Sequence, residues 1–320
     1  MRYCHSRTMI SSHLLWLQST FPMRSRAKLG SHRVPDMDIS FLAIIVLCGI
    51  FVGVVFSSIG AGGGILTSFC LISIVGVADP NSVKPMTQII VLATALTFVP
   101  GYFRSSVLVW PLGLLLAVGG VLGALVGSSL SSIYLADMKT FRPVFGALTL
   151  LIGAQIAAKL YRSWNEQVSG RPVRGPATGE AVRILSFSNA ALTFSYRGLD
   201  YRVPAWSPLL AGFVIAMVAA IFGVGGGFLL VPYMSSLLGL PMYIIPATSG
   251  IAIIVSLLAS IWSYLSFGAH LEMIALLPLL AGAVLGALAG PFVNRWMKNS
   301  TLQAALALII VIIGLRYILA

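Results

Sequence analysis

Acidic side chains are scarce in this chain, and those present keep out of its apolar parts. Asp and Glu number eight in 320 residues, and Asp36, Asp38, Asp79, Asp137, Glu166, Glu180, Asp200 and Glu272 all fall outside the interiors of the apolar runs. Carriers coupled to protons or cations usually place carboxylates within the membrane, so this distribution argues against a cation pathway. Histidine and cysteine are also few, at four and three, and Cys4, Cys48 and Cys70 are too scattered for a metal site or a disulfide framework. No Ser-His-Asp set, histidine cluster or metal-ligand set falls within the apolar segments, which speaks against an embedded enzyme and leaves no cofactor to expect. Charge of either sign makes up only 9% of the chain, whereas a soluble domain carries about 25%. At 58% hydrophobic, the chain has more apolar side chain than a soluble core of this length can absorb. The apolar runs are continuous rather than alternating, so the expected class is an all-α polytopic membrane protein.

The charge that is present is mostly positive, for a net of +12. Lys and Arg concentrate in the first 35 residues and between Lys159 and Arg202. Clusters of this kind are the cytoplasm-facing segments of a membrane protein, and no nucleic acid is expected as a partner. Residues 1–36 are rich in Arg and Ser, and no acid precedes Asp36. They read either as a presequence or as the result of a start assigned too far upstream, with Met37 the natural start.

Apolar segments fall at about 39–58, 64–77, 85–103, 107–128 and 141–160, and again at 206–222, 227–240, 245–266, 272–292 and 302–319. The two sets of five answer each other. "GAGGGILTSF" (60–69) matches "GVGGGFLLVP" (223–232), "KPMTQIIV" (84–91) matches "IPATSGIA" (245–252), and "GGVLGALVG" (119–127) matches "GAVLGALAG" (282–290). "LLIGAQI" (150–156) matches "VIIGLRY" (311–317), and the offset stays between 161 and 163 residues throughout. The expected organisation is therefore an N-terminal extension (1–36), a first membrane repeat (37–160), a cytoplasmic linker (161–204) and a second membrane repeat (205–320). Five spans per repeat force the second copy to be inverted. If the Gly-rich segments turn back instead of crossing, the count becomes four and the repeats are parallel. With Asp36 and Asp38 outside, the linker, Arg104, Arg295 and Lys298 fall inside, and Asp79, Asp137 and the tip bearing His270 and Glu272 fall outside. The linker stretches "AVRILSFSN" and "ALTFSYRGLDYRVP" read either as a small β element or as a disordered basic loop.

Two kinds of glycine occur. Gly119, Gly123 and Gly127, like Gly282, Gly286 and Gly290, are spaced by four along one helix face, as close helix packing requires. "GAGGG" and "GVGGG" cannot form one face, because successive residues point around the helix. They read as helix breaks. Gly60, Gly62, Gly63 and Gly64, and Gly223, Gly225, Gly226 and Gly227, would expose backbone N–H groups at the start of a new helix. Such a terminus favours an anion. No lysine follows in a phosphate-loop pattern, and Ile65 and Phe228 stand where a dinucleotide loop needs its third glycine. Thr67 flanks the first break. Thr87 and Gln88, and Thr248 and Ser249, recur after Pro85 and Pro246. A lone membrane threonine usually bonds its own helix, but recurrence in both halves makes these residues candidate ligands. Lys84 and Arg104 stand at segment ends and are expected to snorkel toward water.

The paired "GxGGG" breaks, the proline with Thr or Ser soon after it, and the "GALxG" helix together resemble the TauE/SafE family of sulfite and organosulfonate exporters over about 39–160 and 205–319. The resemblance implies a bacterial-type inner-membrane carrier for sulfite, sulfoacetate or a related anion, with the breaks at 60–64 and 223–227 central. The family often has Gly-Thr-Ser after the apolar turn, where this chain reads Met86-Thr87-Gln88 and Ala247-Thr248-Ser249. Anion export from an inside-negative cell is downhill by roughly 2.3 kcal/mol per charge per 100 mV. An anion channel and an importer of the same anions stand as alternatives. The expected partners are a small anion, the lipid bilayer and, in a homodimer, a second copy.

Overall fold

A computed structural model describes residues 39–59, 62–103, 108–168, 183–187, 191–196, 199–240, 244–296 and 299–319. The expectations for residues 1–36, Gly60, Arg104, Lys298 and most of the stretch before Arg183 lie outside the described residues. Residues Ile39–Ala320 form one compact unit. Ten helices are described, in the order α1 (Ile39–Ile59), α2 (Gly63–Phe69), α3 (Pro80–Phe103), α4 (Trp110–Tyr134), α5 (Met138–Val168), α6 (Trp206–Phe222), α7 (Gly227–Pro232), α8 (Ile244–Ser266), α9 (Met273–Trp296) and α10 (Asn299–Leu319). The two short ones run on into π-helical turns, Cys70–Val75 after α2 and Tyr233–Leu237 after α7. Five helices are long and apolar enough to cross a membrane, over Ile39–Ser58, Trp110–Tyr134, Met138–Ala158, Thr248–Ser266 and Met273–Gly290. The helices expose Leu, Ile, Val, Phe and Trp over much of their surface, as the lipid-facing side of a helical membrane protein must.

The linker contains a three-stranded antiparallel sheet, β1 (Arg183–Phe187), β2 (Ala191–Tyr196) and β3 (Leu199–Pro204), in the order β1-β2-β3. Of the two readings offered for this stretch, the β element is the one found. Strand β2 buries every second residue, Leu192, Phe194 and Tyr196. These side chains join Val109 and Leu112 at the start of α4 and Ile244 and Ile245 at the start of α8 in one apolar cluster. The sheet therefore closes the end of the molecule where α4 and α8 begin.

Glycines set which helices approach closely. A Cβ at Gly119, Gly123 or Gly127 of α4 would meet the carbonyl oxygens of Leu209, Phe213 and Met217 of α6. At Gly282 and Gly286 of α9 it would meet those of Val46 and Ile50 of α1, and at Gly290 the Ser57 hydroxyl. The packing expected of these glycines is what they do. The contacts rise together in number, so α4 runs parallel to α6 and α9 parallel to α1. α5 and α10 run in opposite directions, since Gly146 meets Tyr317 and Ile318, Leu150 meets Gly314, and Gly153 meets Val311. The contacts are reciprocal between the halves. α1 packs on α9 as α6 packs on α4, α4 packs on α8 as α9 packs on α3, and α3 packs on α8 and α5 on α10.

Candidate functional site

Left-handed backbone interrupts the helices at both glycine-rich stretches. α1 ends at Ile59, and α2 opens at Gly63 behind Gly62, whose φ is 85°. α6 ends at Phe222 and is capped by Gly223 at φ 72°; Gly225 follows at φ 79°, and α7 opens at Gly227 behind Gly226. Residues with a Cβ rarely adopt such φ values, so glycine is needed at 62, 223 and 225 for conformation alone. The first amides of α2 and α7 have no carbonyl one turn earlier within their own helix.

The two stretches meet. A Cβ on Gly64 would land on the Val224 carbonyl oxygen, so the start of α2 lies directly on the second stretch. Gly223 lies on α3, where a Cβ would come within 2.7 Å of the Lys84 Cα, and Gly225 lies against Val91, with its Cβ 3.0 Å from Cγ1. Gly63 packs on Phe56, and Gly62 on Leu306. Gly62, Gly63, Gly64, Gly223, Gly225, Gly226 and Gly227 are all buried.

The candidate side chains divide by what they bond. Thr67 donates to the Gly63 carbonyl (2.8 Å) and Ser249 to the Ile245 carbonyl (2.7 Å), each within its own helix. Thr248 accepts the Val109 amide (3.3 Å) and so ties the entry of α4 to α8. Thr87 shares a hydrogen bond with Ser68 (3.2 Å), tying α3 to the helix that starts at the first stretch. Gln88 donates through Nε2 to the Ser260 hydroxyl (2.9 Å), while its Oε1 is buried without a protein partner. That side chain and Gly226 line a small cavity with Ser256, Ser260 and a set of alanines, of about 20 Å³. This is room for one water molecule. The structure thus brings Gly64, Ser68, Thr87, Gln88 and Gly223–Gly227 into one neighbourhood, and engages Thr67, Thr248 and Ser249 in bonds to main chain.

Lys84 does not snorkel. It is fully buried and donates to the Leu135 carbonyl (2.8 Å), the Ser131 carbonyl (3.5 Å) and the Asn81 side-chain oxygen (3.2 Å). Its ammonium lies 5.1 Å from the Phe141 ring centre and 6.0 Å from that of Tyr264. A cation at the carbonyl end of α4 bonds a carbonyl that the helix cannot bond itself. Tyr264 donates to the Ala220 carbonyl (2.8 Å) and Ser131 to that of Ile221 (2.6 Å), so the same cluster secures the end of α6 where the second stretch begins. Sequence reasoning missed Ser260, Ser256 and this role of Lys84. No spacing marks them, because their partners are 172 residues away for Gln88–Ser260 and 51 for Lys84–Leu135.

Five helices long and apolar enough to cross a membrane, with the first helix start meeting the second glycine stretch among them, define an integral helical membrane protein. The chain matches the family model "Sulfite exporter TauE/SafE" over residues 45–317 and belongs to that family. It is similar to "Probable membrane transporter protein YunE" of Bacillus subtilis (strain 168), with 26% identity over 285 residues, covering 87% of this chain and 97% of that protein. It is also similar to a "Probable membrane transporter protein" of Xylella fastidiosa (strain 9a5c), at 26% over 196 residues, covering 61% of this chain and 63% of that one. No solved structure matches it.

Proposed function

We propose that the protein exports a small sulfur-containing anion (sulfite, sulfoacetate or a related organosulfonate) across a bacterial-type inner membrane. The anion is held near the midplane by amides at the two glycine breaks, with Thr87 and Gln88 beside them. The observation that carries this reading is the contact of Gly64 with the Val224 main chain. Two helix starts from opposite halves of the chain converge on one buried point, and such termini favour negative charge.

The proposed architecture is two inverted repeats, 37–160 and 205–320, joined by a cytoplasmic linker at 161–204. Reciprocal contacts between the halves are what a two-fold relation produces. α5 and α10 are the last helices of the two halves, and they pack antiparallel. Equivalent helices in contact run antiparallel when the two-fold axis is perpendicular to them, that is, in the membrane plane. At 20 Å³ the central cavity is closed to an anion larger than water, so turnover requires one half to move against the other. The test is counterflow of radiolabelled sulfite into proteoliposomes, competed by sulfoacetate, thiosulfate and sulfate. Saturable exchange is the expected outcome. Unitary currents in planar bilayers would identify a channel instead, and no sulfite flux at all would refute the substrate class.

A further inference from the structure

We infer that a cleft at the rim of the molecule, distinct from the glycine breaks, is a second binding site, for an oxyanion group. Its role as an exit-side station for the transported anion rests on the function proposed above; the binding itself does not. The cleft has a volume of about 580 Å³ and lies between the start of α5 and the end of α10, with Ile72, Val77, Lys139, Arg142 and Tyr317 among its lining residues. This is within the roughly 300–1,000 Å³ of small-molecule sites. Among the described residues no acidic one lines it, and the buried Arg142 Nε–H has no hydrogen-bond acceptor among them. An orphaned guanidinium donor in a folded protein calls for an explanation, and the group it is built to meet is an oxyanion, which a guanidinium can grip with two parallel bonds.

The nearest carboxylates do not fill that role. Asp137 accepts the Lys139 amide (3.3 Å) as a helix cap, and Asp79 accepts the Asn81 amide (3.0 Å) and the Ser82 hydroxyl (2.8 Å). Among the described residues neither forms an ion pair with the Arg142 or Lys139 side chain. The positive end of the 31-residue helix α5 adds to the potential of the two cations. One wall of the cleft is fixed by the hydrogen bond between Ser73 and the Tyr317 hydroxyl (3.0 Å). Ser73 lies on the helical run Gly63–Val75, so the cleft and the first glycine break stand at opposite ends of one helix about 20 Å long. The oxyanion can be a free sulfur oxyanion or the phosphate of an anionic lipid, and the experiment separates the two.

Full-length protein in neutral detergent is titrated with sulfite by calorimetry, in a Gly226→Leu background that fills the interior cavity. Sulfite binding is expected to persist there. Arg142→Gln should weaken it at least tenfold, Lys139→Gln by a smaller factor, and Arg142→Lys should keep part of it. In counterflow on otherwise wild-type protein, Arg142→Gln should raise the half-saturating concentration about tenfold with the maximal rate within twofold. If sulfite binding is indifferent to Arg142, native mass spectrometry with phosphatidylglycerol decides. Lipid retained by the wild type and lost from Arg142→Gln assigns the site to a headgroup phosphate, and equal retention overturns the site. Should the wild type transport no sulfite while binding still depends on Arg142, the rim site stands and the transport reading falls. If Arg142→Gln fails to fold, Lys139→Gln and Arg142→Lys carry the same comparison.

Discussion

Glycines that read alike in the sequence do different work at the site. Gly64 has no room for a methyl group, because the Val224 carbonyl occupies the place, whereas the nearest atom to a Cβ on Gly226 is 3.4 Å away. Gly64→Ala is therefore expected to lower the detergent unfolding midpoint, by about 1–3 kcal/mol of overpacking, and to abolish counterflow. Gly226→Ala should fold normally and reduce flux only by crowding the cavity it shares with Gln88. Equal behaviour of the two in unfolding would refute the contact between the breaks. Lys84 makes a second test. Lys84→Ala leaves the Leu135 carbonyl without its donor in a buried place, so a loss of about 3 kcal/mol is expected from the unmet group and the vacated volume together. An exposed lysine would cost almost nothing. The expectation that Lys84 snorkels failed for a physical reason. Position at a segment end says where water could be reached, but not that α4 ends opposite with free carbonyls. The glycine runs, by contrast, stand out in the sequence, and what the structure adds is left-handed backbone at Gly62, Gly223 and Gly225.

At the scale of helices, the spacing by four of Gly119, Gly123 and Gly127, and of Gly282, Gly286 and Gly290, announced close packing but not the partners. Those partners, α6 and α1, lie in the opposite half of the chain, and one-dimensional spacing does not carry that information. Direction is also a property of the folded pair, and it can be tested by cross-linking. In a background without native cysteines, Gly153→Cys with Val311→Cys is expected to form a disulfide, because Gly153 sits against Val311 in the antiparallel pair α5 and α10. Gly146→Cys with Val311→Cys should not, since Gly146 faces Tyr317 and Ile318 instead, nearly two turns away. The reverse pattern, scored by mobility on non-reducing gels, would overturn the register of this pair. The sequence left "ALTFSY" open between a strand and a disordered loop, and the structure makes it a strand whose alternation sends Leu192, Phe194 and Tyr196 into the bundle.

For the whole molecule, charge and contacts make one consistent division into two ends. Lys84 near the start of α3, Leu135 just past α4, Phe141 in α5 and Tyr264 near the end of α8 form one cluster. The stretches around Asp79, Asp137 and His270 therefore share an end, as the distribution of loop charge requires if they lie outside. The sheet packs on the starts of α4 and α8, which is the other end. A topology experiment follows directly, because both ends offer exposed positions, His270 in the α8–α9 turn and Leu185 on β1. In the cysteine-free background, His270→Cys in intact cells should react with a membrane-impermeant maleimide, and Leu185→Cys should react only after the membrane is permeabilised. Labelling of both from outside would place the two on one side and contradict the end-to-end separation of the bundle. Labelling of Leu185→Cys alone would keep the fold but reverse its orientation. The downhill membrane potential would then oppose anion movement toward the face that carries Arg142 instead of driving it.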